Sequence, residues 1–479
     1  MGRDVVGGRS LFRERGMKRI TLAVACVLVA ANRAHGQTVD PARLDSLIRR
    51  TVAEKKIVGL SVGVMQNGKV ILAKGYGVRE VSTKDPVTPR TMFAIGSVTK
   101  QFTCSALMLL AEQRRLSLAD PVSNYFPSLT RAKDITLLDL GGHLSGYRDY
   151  YPLDFVDREM QKDATADQII TEYATRPLDF EPRSRYSYSN TGFLILGRVI
   201  EKVSGEPFGS FIEKRIFTPL KLSRTMYEPT TTTSAADMAQ GYTSFALADL
   251  IRAEPEARGW TGSAGAIWST PTDLLTWDLS LLDHTVISRA SYGVLTTAQP
   301  LTDGRSSGYG CGESVNDRGL AVVLSHGGAT SGFVAQNTVI PATRSAVVLL
   351  TNSDLSPIGE LNQQLVASVM PRSPDVPVIA GAPALDAARK FLLDLEKGTV
   401  DRSTLGADFN TFLTVEKVSA ARNALNAIGA IAKVRVVGVR ERGGMEVATV
   451  QFDVGTTSAI GVMYRTTDGK VQEFLFSRN

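Results

Sequence analysis

The chain has 479 residues, 43% hydrophobic and 21% charged, with 54 Lys and Arg against 48 Asp and Glu for a net charge of +6. That length exceeds one ordinary core, and the balanced composition excludes a disordered, collagen-like or low-complexity chain. No basic run or basic–aromatic pattern points to nucleic acid, and no Cys/His cluster has metal-ligand spacing, so no metal or other cofactor is expected.

Arg13, Arg15, Lys18 and Arg19 precede an apolar run from Ile20 to Ala31, and Ala34-His35-Gly36 supplies small residues where a signal peptidase reads. This predicts a secretory signal over residues 1–36, too short in its apolar part to span a membrane, with Met17 as an alternative start. Those residues hold seven Lys or Arg and two Asp or Glu, so removing their +5 leaves +1 on the remainder. The expected location is secreted or periplasmic, with no stable membrane insertion after signal removal. Export permits disulfides. Cys104 in an apolar helix and Cys311 in a predicted strand are nevertheless distant in sequence, and both read as buried thiols.

Asp40-Pro41 opens a helix carrying Leu44, Leu47, Ile48 and Val52 on one stripe. Leu60 to Gln66 and Val70 to Tyr76, joined by Asn67-Gly68, form a hairpin with the strongest short-range turn signal. FAIGSVTKQFTCSALMLL, from Phe93 to Leu110, is a loop and then a helix with Phe102, Ala106, Leu109 and Leu110 on one face. The middle of the chain, to Asp283, is mostly helical: Thr165 to Thr175, Thr191 to Val203 stopped at Gly205, and a helix from Thr270-Pro271 to Leu282. Ala321 to Ser325, Phe333 to Ile340 and Ala346 to Thr351 are β-branched strands, and Asn362 to Met370 is a closing helix. Strands at both ends with helices between predict one sheet and a second, helical lobe, with a cleft as the place for a site.

Residues 371–383 carry four prolines and read as a stiff linker. Beyond it, helices at Ala384–Lys397 and Ser419–Ile428 and four strands between Val434 and Phe476 predict a small α+β domain at 384–479. Its helix-plus-meander pattern suggests a nuclear-transport-factor-like fold.

Ser97 and Lys100 are three apart, which on a helix places a hydroxyl and an amine on one face. This is one route to an activated serine without histidine. Taken alone, the pattern reads first as a capping serine and a solvated lysine. Tyr188-Ser189-Asn190 stands just before the strong helix, and His326-Gly327-Gly328 at the end of a predicted strand. All three motifs fall where elements end, and such junctions converge on clefts.

In these motifs, and in ITLLDLGGHLSG, YSYSNTGFLILGRVIEKVSG, IFTPLKLSRTMY and GSAGAIWSTPTDLLTW, the chain resembles the serine β-lactamase and penicillin-binding family, most closely its class C-like branch. The resemblance covers roughly Asp40 to Met370. It implies an α/β-type two-lobed β-lactamase/transpeptidase-like fold, an antiparallel sheet flanked by helices plus a helical lobe. Residues 37–370 would form this serine hydrolase domain, ahead of the linker and the α+β domain. By resemblance, Ser97 is the acylated nucleophile, Lys100 accepts or relays its proton, and Tyr188 is partner base and leaving-group acid, its phenol acidified by Lys100. Asn190 holds the substrate's carbonyl region. The oxyanion hole is made by the N–H groups of Ser97 and Ala329, beside His326 and Gly328 in the third motif.

His326 stands where β-lactamases usually have lysine, and a neutral imidazole does not replace a fixed cation for a substrate carboxylate. This shifts weight away from an efficient β-lactamase, and the expectation is an exported serine hydrolase working through a Ser97 acyl-enzyme on a D-peptide, small ester or β-lactam. The partner is therefore a small-molecule or short-peptide substrate. Tyr186 is the lesser alternative to Tyr188, while His143 and His284 read as structural. A catalytically silent ligand-binding or sensor module is the competing class, and an intact Ser97, Lys100 and Tyr188 argues against it.

Overall fold

The computed structural model describes residues 39–478 except 154, 229–237, 247, 319–320 and 372–375. The predicted signal and part of the proline-rich segment lie outside them. Among the described residues no helix is long and apolar enough to cross a membrane.

The first helix, α1 (Pro41–Lys55), is capped by the Asp40 side chain, with Pro41 at its first position. It leads into the hairpin β1 (Gly59–Gln66) and β2 (Lys69–Glu80), with a short β3 (Asp85–Pro86) beside β2. Asn67 and Gly68 both have positive φ, 52° and 73°, as a type I′ turn requires. The sheet is completed from the far end of the chain by β4 (Ser314–Asp317), β5 (Val322–Thr330), β6 (Phe333–Ile340) and β7 (Ser345–Thr351). The order is β3-β2-β1-β7-β6-β5-β4, and the strands β1 and β7 from opposite ends of the chain pair antiparallel.

The central strand β7 is buried along its whole length. Val347 and Leu349 face α1 and the closing helix α5 (Gly359–Val369), while Ala346, Val348 and Leu350 face the helical lobe. A strand covered on both faces reads as a continuous apolar run.

Helix α2 (Thr99–Glu112) runs through the main core. Its neighbours include α3 (Asn190–Ser204) and α4 (Pro271–Leu282), and Phe102 stacks on Trp277 with centroids 4.2 Å apart. The expectation of a single apolar face on α2 is corrected here, since every residue from Thr99 to Met108 is buried. Two of its polar side chains find tertiary partners instead of water: Thr103 donates to the Ser263 carbonyl, and Gln101 accepts from the Trp277 indole.

Two further expectations change. Strand β5 continues through the His326 motif instead of ending before it, because Gly327 and Gly328 stay in register with Gln336 and Ala335 of β6. Cys104 and Cys311 are bonded as a disulfide with Cα atoms 5.8 Å apart, and Cys311 lies in a loop instead of a strand. The sequence separation of 207 residues hid a pairing that the fold creates.

At the C-terminal end, α6 (Ala384–Lys397) and α7 (Val415–Ile428) accompany a four-stranded antiparallel sheet. Its strands are β8 (Ile431–Arg442), β9 (Met445–Val454), β10 (Thr457–Arg465) and β11 (Val471–Arg478). Their core, including Phe391, Phe452, Met463 and Phe474, is separate from the one around α2.

Candidate active site

The turn that carries Ser97 is made by backbone packing. Residues Gly96–Val98 form one turn of 3₁₀ helix leading into α2. Gly96 has φ 48°, and a Cβ there would lie 2.7 Å from the Ala329 nitrogen. A Cβ on Gly328 would lie 1.9 Å from the Ile95 carbonyl oxygen. Only glycines allow β5 to come this close, backbone to backbone, beside Ser97. Among the described residues β4 covers β5 only as far as Ser325, leaving the stretch that contains Ala329 as an open edge next to Ser97.

Ser97 is not a helix cap, for no side chain caps α2. Its Oγ receives hydrogen bonds from Lys100 Nζ at 3.0 Å and from the Tyr188 hydroxyl at 2.7 Å. Lys100 is fully buried, which disposes of a solvated lysine. Its amine also donates to Asn190 Oδ1 at 2.7 Å and to the Ala264 carbonyl at 2.8 Å. Burial lowers its pKa from 10.5 to about 7, opposed in part by the Asp149 carboxylate. The two fixed acceptors occupy two N–H groups, so the third position of the nitrogen faces Ser97. It carries a proton in the ammonium and a lone pair in the amine.

Tyr188 behaves differently. Burial pushes its phenol well above the ordinary range, with Asp149 and Tyr186 adding to the effect. The expected acidification by Lys100 is therefore not found, and near neutral pH Tyr188 is a proton donor. The His143 ring packs against it at 4.2 Å between centroids. His143 accepts the Ser189 N–H through Nδ1 and is held neutral by burial, so it supports Tyr188 as a packing partner. Tyr186 touches His143 and Tyr309, and the hydroxyl bonded to Ser97 belongs to Tyr188.

Asn190 and His326 are both drawn into the protein's own network. Asn190 Nδ2 donates to the two Asp149 oxygens at 3.1 and 3.3 Å while its Oδ1 faces Lys100. The carboxamide expected to meet substrate is thus a bridge between Lys100 and Asp149. His326 Nδ1 lies 2.5 Å from the Gly327 carbonyl oxygen, and Nε2 lies 2.7 Å from the Tyr309 hydroxyl. A carbonyl only accepts, so the ring proton sits on Nδ1 and Tyr309 donates to Nε2. Burial, with Lys100 nearby, takes the imidazole pKa down to about 3. His326 is neutral, and both its nitrogens are engaged. Gly328 and Ala329 contribute through backbone alone. His284 lies just beyond α4, packed against Tyr292.

Sequence reasoning missed Asp149 and Tyr309. Asp149 lies three residues beyond Gly146, the end of GGHLSG, and outside every motif named above. Tyr309 had no local signal, and its role depends on the loop that the disulfide ties to α2.

A family model described as Beta-lactamase matches residues 44–370. The chain belongs to the beta-lactamase family. Among its relatives in this family, a D-aminopeptidase of Gluconobacter oxydans is 28% identical over 339 residues, 69% of this chain and 62% of the relative. The chain thus spans about three-fifths of that relative's own length. Among solved structures, the octameric penicillin-binding protein homologue from Pyrococcus abyssi gives a TM-score of 0.62 at 22% identity, covering 92% of this chain and 96% of that one. A D-stereospecific amidohydrolase from Streptomyces sp. gives 0.60 at 25% identity, covering 69% and 98%. The beta-lactamase-family fold is therefore shared well below the level at which substrate is shared.

Proposed function

We propose that the chain is a serine hydrolase that acts through a Ser97 acyl-enzyme, exported, and directed at amide bonds of D-residues in short peptides. The observation that carries the reading is the Ser97 oxygen bonded by both a buried Lys100 amine and a protonated Tyr188 phenol. A lysine near pKa 7 is poised as a general base at neutral pH.

In acylation, Ser97 Oγ bonds to the substrate carbonyl carbon as its proton passes to Lys100 Nζ. The oxyanion forms beside the N–H groups of Ser97 and Ala329, at the positive end of α2. Tyr188 donates its proton to the leaving nitrogen as the C–N bond breaks. In deacylation, a water proton returns to the Tyr188 oxygen as the hydroxide attacks the ester, and the Lys100 ammonium returns its proton to Ser97 Oγ.

The neutral imidazole of His326, with both nitrogens engaged, offers no charge to a substrate carboxylate, which weighs against β-lactams and free C-terminal carboxylates. The D-aminopeptidase and D-stereospecific amidohydrolase relatives support D-amides. Export is supported by the basic–apolar leader and by a disulfide that an oxidising compartment sustains.

The test is a panel of D- and L-amino-acid p-nitroanilides, p-nitrophenyl esters and a chromogenic cephalosporin. The reading expects D-anilide turnover to exceed that of the L-enantiomer and the cephalosporin and to vanish in Ser97→Ala. A cephalosporin preference would overturn the substrate class, and retained turnover in Ser97→Ala would overturn the mechanism.

A further inference from the structure

The geometry points to Asp149 as a positioning residue for acyl transfer: its carboxylate locks the Asn190 carboxamide in one orientation and so aims the Lys100 lone pair at Ser97. This rests on the serine hydrolase reading above.

A carboxamide has two ends of nearly the same shape, one accepting and one donating. In the orientation present, Oδ1 takes a hydrogen from Lys100 Nζ at 2.7 Å. Turned over, Nδ2 would meet that nitrogen and donate into the lone pair of the neutral amine, removing the base. A carboxylate only accepts, and Asp149 faces the Nδ2 end at 3.1 and 3.3 Å. It also takes the Asn190 backbone N–H at 3.0 Å and the Tyr151 N–H at 3.2 Å, so the carboxylate is itself held in place. Turning the carboxamide over would set Oδ1 against the carboxylate, acceptor against acceptor. Asp149 thereby blocks the unproductive orientation, and with Ala264 O taking another hydrogen, the free valence of Lys100 is left to Ser97.

The second effect is charge. The titratable groups facing Lys100 are His143 and Asp149 from the segment after the short helix Leu137–Gly141, Tyr188 from the entrance of α3, and His326 from β5. Both imidazoles and the phenol are held uncharged by burial. Asp149 is the one carboxylate among them, and it favours the ammonium, against desolvation. Replacing it by a neutral isostere should free the amine at lower pH while loosening its aim.

The test follows the rate of covalent labelling of Ser97 by a fluorophosphonate probe across pH, in the wild-type protein, Asp149→Asn and Asp149→Glu. Asp149→Asn should lower the plateau rate 10- to 100-fold and move the midpoint of the acid limb down by about one pH unit. Asp149→Glu should return the midpoint toward wild type. If Asp149→Asn does not fold, Asp149→Ser gives the same comparison. A loss of labelled fraction with an unmoved midpoint would mean only structural damage and would overturn the inference, leaving the hydrolase reading intact. Failure of the wild-type protein to label at Ser97 would remove the reading and the inference together.

Discussion

Lys100 Nζ on α2 donates to the carbonyl oxygen of Ala264, 164 residues later, across 2.8 Å. Ala264 lies in the short helical turn Gly262–Gly265, and Thr103, one turn on from Lys100, bonds the adjacent Ser263 carbonyl at 2.7 Å. The amine is thus held from outside its own helix, and its position depends on the assembled core. A lysine buried this way is unfavourable for the fold and useful for proton transfer, the trade expected at a working site.

This predicts a pH signature in stability. The Lys100 ammonium titrates at 10.5 in the unfolded chain and about 7 in the fold. Between those values the unfolded state binds more protons, so this residue's contribution to stability rises with pH. Relative to Lys100→Met, the wild-type protein should therefore gain thermal stability as pH is raised from 7 to 10. Differential scanning fluorimetry of the two proteins across that range checks it. A constant difference would mean that Lys100 remains cationic in the fold.

Gly328 supplies a test of the backbone contact. A methyl group there would meet the Ile95 carbonyl oxygen at 1.9 Å, so Gly328→Ala must push β5 away from the nucleophile turn. The Ala329 N–H, proposed above as an oxyanion donor, would move away from the Gly96–Val98 turn, and loss of one such donor lowers rate by about 10²–10³. We expect a fall in kcat of that size with far-UV circular dichroism unchanged.

The meeting of Ser97, Lys100 and Tyr188 was foreshadowed in the sequence because each lies in a local pattern: Ser97 and Lys100 one helical turn apart, Tyr188 at the entrance to a strongly periodic helix. The hairpin was legible from Asn67-Gly68 and the central strand from its apolar run. Tertiary contacts were not. The polar residues of α2 looked solvent-facing because Trp277 and Ser263, their partners, are more than 150 residues away. The extension of β5 through Gly327 and Gly328 was hidden because glycines ordinarily mark a strand's end, while here they are needed for close approach.

The disulfide is a further case, and it predicts a stability effect. Cys104 is one turn beyond Lys100, and Cys311 is two residues from Tyr309, the hydrogen-bond partner of His326. A link of this sequence separation restrains the unfolded chain strongly, and its removal should lower stability by about 2–4 kcal/mol. Thermal unfolding of the Cys104→Ala/Cys311→Ala double variant against the oxidised protein measures this. An unchanged midpoint would show that the bond contributes nothing to the fold.

The central claim is that Ser97 is acylated with Lys100 as its base. The most direct measurement is intact-mass and peptide-mapped labelling of the purified protein by a fluorophosphonate as a function of pH. One adduct on Ser97 is expected, its rate of formation rising through a midpoint near pH 7 and abolished in Lys100→Met. An active preparation that labels at another serine, or a Ser97 rate flat across pH 7, would contradict it.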